Sequence, residues 1–236
     1  MAAVTLLEAR GLTRHFGGLK AVNGVDFALD EGEIHALIGP NGAGKTTFVS
    51  LLSGRIPAQS GTIRLRGRDI TRLPAHARVR AGIAYTFQIT QIYAALTVFD
   101  NVALAVQGRG GHPLAAQAMA ALDRVGLADR AGQIAGTLSY GHQRVLEIAM
   151  GLALAPLLLI LDEPTQGLAE GEIATFKDIV RSVVPQTTVL LIEHNMDVVM
   201  GLADRITVLN FGEVLATGTP AEIRANPAVQ AAYLGG

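Results

Sequence analysis

The chain contains no cysteine, which excludes a disulfide framework and a thiolate metal site and leaves nothing that points to an oxidising compartment. It also lacks an excess of charge of either sign. Its 19 Lys and Arg stand against 20 Asp and Glu, a formal net charge of −1. That balance argues against a nucleic-acid binder working through a broad basic face. No apolar run is long enough to cross a bilayer, which takes about 20 residues. The longest, between Glu147 and Asp162, is interrupted by Gly151 and Pro156 and reads as a buried helix running into a buried strand. The N-terminus, Met1 to Glu8, has no basic stretch ahead of an apolar one, so no signal peptide is expected. Internal repeats and low-complexity segments are missing too. The expectation is a chain soluble by itself, and half of its 236 residues are hydrophobic. That suffices for one large domain or two closely packed lobes. Its positive mean hydropathy points to surfaces that meet other protein.

What is present centres on Gly39-Pro40-Asn41-Gly42-Ala43-Gly44-Lys45-Thr46-Thr47. An apolar run, Ile34 to Ile38, precedes it, and Phe48 to Leu52 reads as the first turns of a helix. Strand, glycine-rich turn and Gly-Lys-Thr opening a helix is the context a phosphate-binding P-loop requires. Gly39, Gly42 and Gly44 let the backbone take positive φ and approach an anion closely. Successive N–H groups then point inward at the positive end of a helix. Lys45 adds a full charge against the β- and γ-phosphates, and Thr46 offers a hydroxyl to Mg²⁺. Two unit charges at 4 Å interact by about 4 kcal/mol at an effective dielectric of 20, so lysine and metal are needed beside the amide dipoles. The chain is expected to bind a nucleoside triphosphate.

Along the rest of the chain, Val4 to Leu29 reads as strands with a turn at Phe16-Gly17-Gly18. Thr62 to Gly67 reads as a strand and turn, Pro74 to Ala81 as a short helix, and Ile83 to Phe87 as a strand ending at Gln88. Leu96 to Met150 changes to an Ala-rich helical pattern broken at Gly108 to Pro113. Leu157 to Leu161 is a strand buried on both faces, as a parallel sheet demands. Glu170 to Val184 is helical and stopped by Pro185. Thr188 to Ile192 is a second buried strand, and Asn195 can cap the helix after it. Ile206 to Leu209 and Glu213 to Ala216 form a hairpin, and Thr219-Pro220-Ala221-Glu222 is a capping box opening one last helix. The class is α/β with a mainly parallel core. Such sheets bind ligands at the carboxyl ends of their strands, where Gly39, Gln88, Asp162 and His194 all fall.

Asp162 is placed to hold Mg²⁺ and Glu163 to act as general base on an attacking water. His194 can contact the γ-phosphate and orient that water, and Gln88 offers a neutral oxygen to Mg²⁺ or water. Phe16 is either a core aromatic or a flat platform for a purine. Ser139 and Gly141 stand at the start of the helix over Val145 to Leu154, which makes either a second anion site or an ordinary serine N-cap.

Taken together these residues resemble the nucleotide-binding subunit of ABC transporters over essentially the whole chain. Gly39 to Thr47 resembles its Walker A motif and Leu157 to Glu163 its Walker B. Ser139-Tyr140-Gly141-His142-Gln143 is similar to its signature. Gln88 stands at the Q-loop, His194 at the switch histidine and Phe16 at the adenine-stacking aromatic. The resemblance implies a P-loop NTPase with a RecA-like parallel core, an N-terminal antiparallel β region and an α-helical subdomain. Residues 1–90 and 155–236 would form the core lobe and about 91–154 the helical one, within a single domain over 1–236. It implies ATP and Mg²⁺ as cofactors, with Phe16, Val22, Gly39, Pro40, Asn41, Gly42, Ala43, Gly44, Lys45, Thr46 and Thr47 binding ATP. Thr46, Gln88 and Asp162 would hold the metal, and Glu163, His194, Gln88 and Lys45 would be catalytic. It further implies a head-to-tail homo- or heterodimer in which Ser139 and Gly141 complete the opposing subunit's site. The implied setting is the cytoplasmic face of the cell membrane, with separate permease subunits, a periplasmic binding protein acting indirectly, and no nucleic acid.

Within the family, Phe16-Gly17-Gly18-Leu19-Lys20-Ala21-Val22, Ile192 to Met196, Gly218-Thr219-Pro220 and Ala232 to Gly235 resemble the ATPases of branched-chain amino-acid importers. Urea and lipopolysaccharide-export ATPases look similar there too, and a soluble ABC-type ATPase of iron–sulfur assembly is the rival reading. His142 replaces the usual Gln or Glu of the signature, and Ala169 stands where many relatives carry Asp.

Overall fold

The computed structural model describes residues 4–86, 91–110, 113–184 and 186–234. β1 (Thr5–Phe16) and β2 (Leu19–Asp30) pair antiparallel from Thr5↔Asp30 to Phe16↔Leu19. Their two-residue turn is Gly17-Gly18, with Gly17 at φ 57, the left-handed conformation that tight hairpins favour. β3 (Ile34–Ile38) is buried at every position and leads through the glycine-rich turn into α1 (Lys45–Leu52). β4 (Ser60–Leu65) and β5 (Arg68–Asp69) then complete a four-stranded sheet ordered β2-β1-β4-β5.

α2 (Ala75–Ala81) has Pro74 at its N-cap position and leads to β6 (Ile83–Thr86). Phe87 and Gln88, expected at the end of this strand, lie outside the described residues. The Ala-rich stretch forms α3 (Val98–Arg109), α4 (Leu114–Arg124) and α5 (Tyr140–Ala153). The break expected from Gly108 begins two residues later, because Gly108 and Arg109 stay helical and Gly110 stops α3 at φ 81.

β7 (Leu158–Asp162), α6 (Glu170–Val183), β8 (Thr188–Ile192), α7 (Met196–Leu202), β9 (Arg205–Asn210) and β10 (Glu213–Gly218) follow. The second sheet has the order β10-β9-β3-β8-β7-β6. It is parallel from β9 to β6, with β10 antiparallel at one edge. The single last helix expected after Thr219 is two helices, α8 (Pro220–Ala225) and α9 (Pro227–Leu234). Pro227 has no N–H to continue the first. Asn226 is extended, and its side chain accepts from the N–H groups of Ala228 (2.9 Å) and Val229 (3.3 Å), opening the second.

The core shows the period of two that a sheet covered on both faces imposes. Leu159, Leu161, Val189 and Leu191 point into one apolar cluster with residues of α3, α4, α5 and α6. Leu158, Ile160, Leu190 and Ile192 point into another, filled by Phe48 of α1 and by Leu7, Leu12 and Leu29 of the antiparallel sheet. A third cluster joins Ala36, Ile38 and Val208 to α7, α8 and α9. Burial on both faces fixes the parallel strands rigidly, so the loops at their carboxyl ends rest on a stiff base.

Candidate active site

Strand register brings the chemistry together. Asp162 lies beside Ile192, and Leu37 lies beside Ile192 on the other side. The glycine-rich turn, Asp162-Glu163 and Glu193-His194 therefore leave neighbouring strands at one edge of the sheet. Gly44 takes φ 100, where a Cβ would collide with the Ala21 carbonyl oxygen, and a Cβ at Gly39 would collide with that of Leu209. These two positions need glycine because other backbone passes close behind the turn. The β9–β10 hairpin tip holds it there, Gly212 N–H donating to Ala43 O at 3.0 Å.

Lys45 bends back over its own loop, donating to the carbonyl oxygens of Gly39 (2.5 Å) and Pro40 (3.1 Å). Burial lowers its pKa, and the nearby charges of Glu163 and Asp162 counter the shift. An anion in the loop would give the ammonium a better partner than two neutral carbonyls. Thr46 is exposed on the first turn of α1.

Asp162 is 5% exposed and accepts from the Tyr85 hydroxyl at 2.5 Å. Burial raises its pKa, the Tyr85 bond lowers it, and the Glu163 charge raises it further. Glu163 adopts a left-handed φ of 48, which costs of order 1 kcal/mol or more in a non-glycine residue. A main-chain bond from its N–H to Ile192 O (2.9 Å) anchors it. Its Oε1 lies 3.9 Å from His194 Nδ1, the imidazole being 62% exposed. Among the described residues no three His, Asp or Glu gather as a metal cage. Thr46 and Asp162 are instead hard oxygen donors that suit Mg²⁺ once phosphate oxygens supply the remainder.

Other expected residues divide. Phe16 is exposed rather than core, with the Arg14 guanidinium 4.8 Å from its ring centroid. The Val22 side chain is fully buried in the core cluster that holds Leu12 and Phe48. Ser139 is the N-cap of α5, its hydroxyl accepting from His142 N–H at 3.3 Å and meeting His142 Nδ1 at 2.7 Å. Gly141 is buried where a Cβ would collide with the Glu172 carboxylate. Gln88 falls outside the described residues.

Three contributors were missed in the sequence. Tyr85 holds Asp162 from the neighbouring strand. Tyr233 of α9 reaches the Gly39 backbone. Glu193, 1% exposed, accepts four hydrogen bonds at the end of β8. An acid closing an apolar strand was the same signal that singled out Asp162, and it was available for Glu193.

A family model described as ABC transporter matches residues 22–166, more than half of the chain. The chain belongs to the ABC transporter family. A second model, Branched-chain amino acid ATP-binding cassette transporter, matches residues 213–236 of this cassette. The cassette is 41% identical to the high-affinity branched-chain amino acid transport ATP-binding protein BraF of Pseudomonas aeruginosa, covering 98% of each chain. It is also 41% identical, at the same coverage, to the LivG protein of that description from Escherichia coli. Among solved structures it superposes with a TM-score of 0.90 on a nucleotide-free ATP-binding cassette from an ABC transporter. That match has 27% identity and covers 98% of this chain and 100% of the other. An ADP conformation of such a cassette matches with the same score and identity, covering 98% and 99%. The cassette is therefore an ABC-type ATPase, with the P-loop NTPase core and antiparallel N-terminal sheet expected of one.

Proposed function

We propose that this cassette binds ATP in the loop from Gly39 to Thr47 and powers import of branched-chain or related amino acids through separate permease subunits. The observation that carries the catalytic reading is the convergence of Lys45, Asp162, Glu163 and His194 at adjoining strand ends. The adenine stacks on exposed Phe16, and the loop amides and Lys45 take the phosphates, Lys45 releasing the carbonyls it now holds. Thr46 and Asp162, with Gln88, would hold Mg²⁺, which would supply charge neutralisation at the phosphates. Glu163 accepts the proton of the attacking water while His194 orients it. Ser139 bonds within its own turn to His142, and Gly141 leaves no room for a Cβ beside the Glu172 carboxylate of α6. In this reading they complete the site of a second copy or homologue, which ATP draws head-to-tail.

Residues 1–90 and 155–236 act as the core lobe and about 91–154 as the helical lobe. A cleft of about 600 Å³ lined by His76, Tyr85, Thr86, Arg109, Glu147 and Met150 opens between them. Gln91 also lines it, as Thr86 does, and an open cleft between the lobes supports docking of a permease there. Among the described residues no helix is long and apolar enough to cross a membrane. In this reading the cassette works as a peripheral subunit on the cytoplasmic face, where the names of its relatives as transport ATP-binding proteins support placing it. The cargo reading is supported by the C-terminal match and by the names of the relatives.

Glu163→Gln tests the chemistry. It should bind ATP, stall as a closed dimer on gel filtration and turn over at least about 100-fold more slowly. Near-normal turnover would remove Glu163 from the role of base. Uptake of labelled leucine by vesicles carrying the cassette with its permeases and binding protein tests the cargo. Vesicles that hydrolyse ATP but stay empty would refute it.

A further inference from the structure

The end of β8 carries an acid that the mechanism above does not use. Glu193 is 1% exposed, and each of its carboxylate oxygens serves a different loop. Oε1 accepts from Thr165 N–H (3.0 Å) and the Thr165 hydroxyl (2.5 Å). Oε2 accepts from the N–H groups of His194 (2.9 Å) and Asn195 (3.1 Å). Thr165 stands two residues after Glu163, and Glu163 N–H is bonded to Ile192 O at 2.9 Å, the residue before Glu193. One buried carboxylate thus ties the loop that carries Glu163 to the turn that carries His194.

We propose that Glu193 is a positioning residue for hydrolysis, a two-sided tie that sets the spacing of Glu163 and His194 across the attacking water. This rests on the ATPase reading of those two residues. The spacing they show, 3.9 Å between Nδ1 and Oε1, is longer than a hydrogen bond, so no hydrogen bond between them enforces it. Displacements near 1 Å in such a pair can cost about 100-fold in rate. Ordinary satisfaction of strand-end amides needs only local acceptors. A single carboxylate shared evenly between two site loops does more, because neither loop can shift without breaking two charge-assisted bonds.

Glu193→Gln keeps the shape and exchanges one acceptor oxygen for an amide that donates, so whichever loop faces the amide loses its acceptor. Full-length protein should then show kcat lowered by about tenfold or more, with KM for ATP within about twofold of wild type. In a His194→Ala background the same change should cost less than it does alone, because the part of its effect that passes through His194 is already gone. A carboxylate that merely stabilises the fold would lower the melting temperature and act independently of His194. Thr165→Val removes one of the four bonds without changing volume, and should give a smaller fall in kcat at unchanged KM even if Glu193→Gln folds poorly. Wild-type kcat in either variant, or an undiminished loss in the His194→Ala background, overturns the proposal. Lys45→Ala and Glu163→Gln are measured alongside. If those two retain turnover, the ATPase reading itself fails and takes this inference with it. If they lose it while Glu193→Gln does not, only the inference fails.

Discussion

To hold a cation as proposed, Asp162 has to be an anion, yet it is buried at the carboxyl end of β7. Burial is the largest influence on its carboxyl and raises the pKa above its ordinary 3.8, with the Tyr85 bond working the other way. The folded protein therefore holds this proton more tightly than the unfolded chain does. The destabilising cost of ionisation is absent in acid, grows as pH rises through the ordinary aspartate value, and is complete above the raised one. Asp162→Asn removes that cost while keeping an acceptor for Tyr85. Without nucleotide the variant should melt higher than wild type at neutral pH. The difference should vanish as the pH falls, which calorimetry across the range reads directly. With ATP and Mg²⁺ the order should reverse, since only the wild type gains from the metal. A variant that melts lower without nucleotide would show that the Tyr85 bond outweighs burial.

Among elements, α1 is the one whose placement matters most, and it does not stabilise its own far end. Its last turn carries no basic residue. Arg78 of α2, 2% exposed, supplies the charge instead, donating to Leu51 O (2.6 Å) and Leu52 O (2.8 Å) as well as to Thr71 O and Leu73 O. A guanidinium there satisfies terminal carbonyls and opposes the negative end of the helix dipole. Burial lowers its pKa to about 10, so it stays charged at neutral pH. Arg78→Met keeps the apolar stem and abandons the carbonyls, and should cost on the order of 3 kcal/mol. The denaturant midpoint should fall without a change in slope, and a loss under about 0.5 kcal/mol, the size of an ordinary surface change, would deny Arg78 this role.

Nothing in the sequence near Arg78 sets it apart from a solvated helix residue, because its partners on α1 lie 26 and 27 positions away. The strands and the P-loop turn were legible because their signals are local: alternation, fully apolar runs, and glycines where φ is positive. Asp162, Glu163 and His194 were legible for the same reason, each closing or following an apolar strand. The burial of Val22 and the Tyr85 bond to Asp162 depend on which strands become neighbours, and that order is not written in any one segment. The split between α8 and α9 was local, and the Asn226-Pro227 pair announced it. It was hidden by the stronger capping box upstream.

At the scale of the whole molecule, the proposed shared site draws on two helix starts, one from each copy. The first, at α1, is ringed by Lys45, Asp162 and Glu163. The second, at α5, is closed by Ser139 bonding to His142. The imidazole at 142 engages Ser139 itself, so in the proposed dimer a partner's phosphate would have to displace this contact. Ser139→Arg fills that surface with a long side chain at the cost of an N-cap, about 1 kcal/mol. The variant should bind a fluorescent ATP analogue within about twofold of wild type, because its own P-loop is untouched, and hydrolyse at least about 100-fold more slowly. Wild-type turnover per chain should rise with protein concentration and level off as dimers fill. Mixing Ser139→Arg with Lys45→Ala should restore some activity, since a mixed pair contains one site with both an intact loop and an intact serine. Full activity of Ser139→Arg alone would mean that each copy hydrolyses ATP unaided, and the shared site would have to be abandoned.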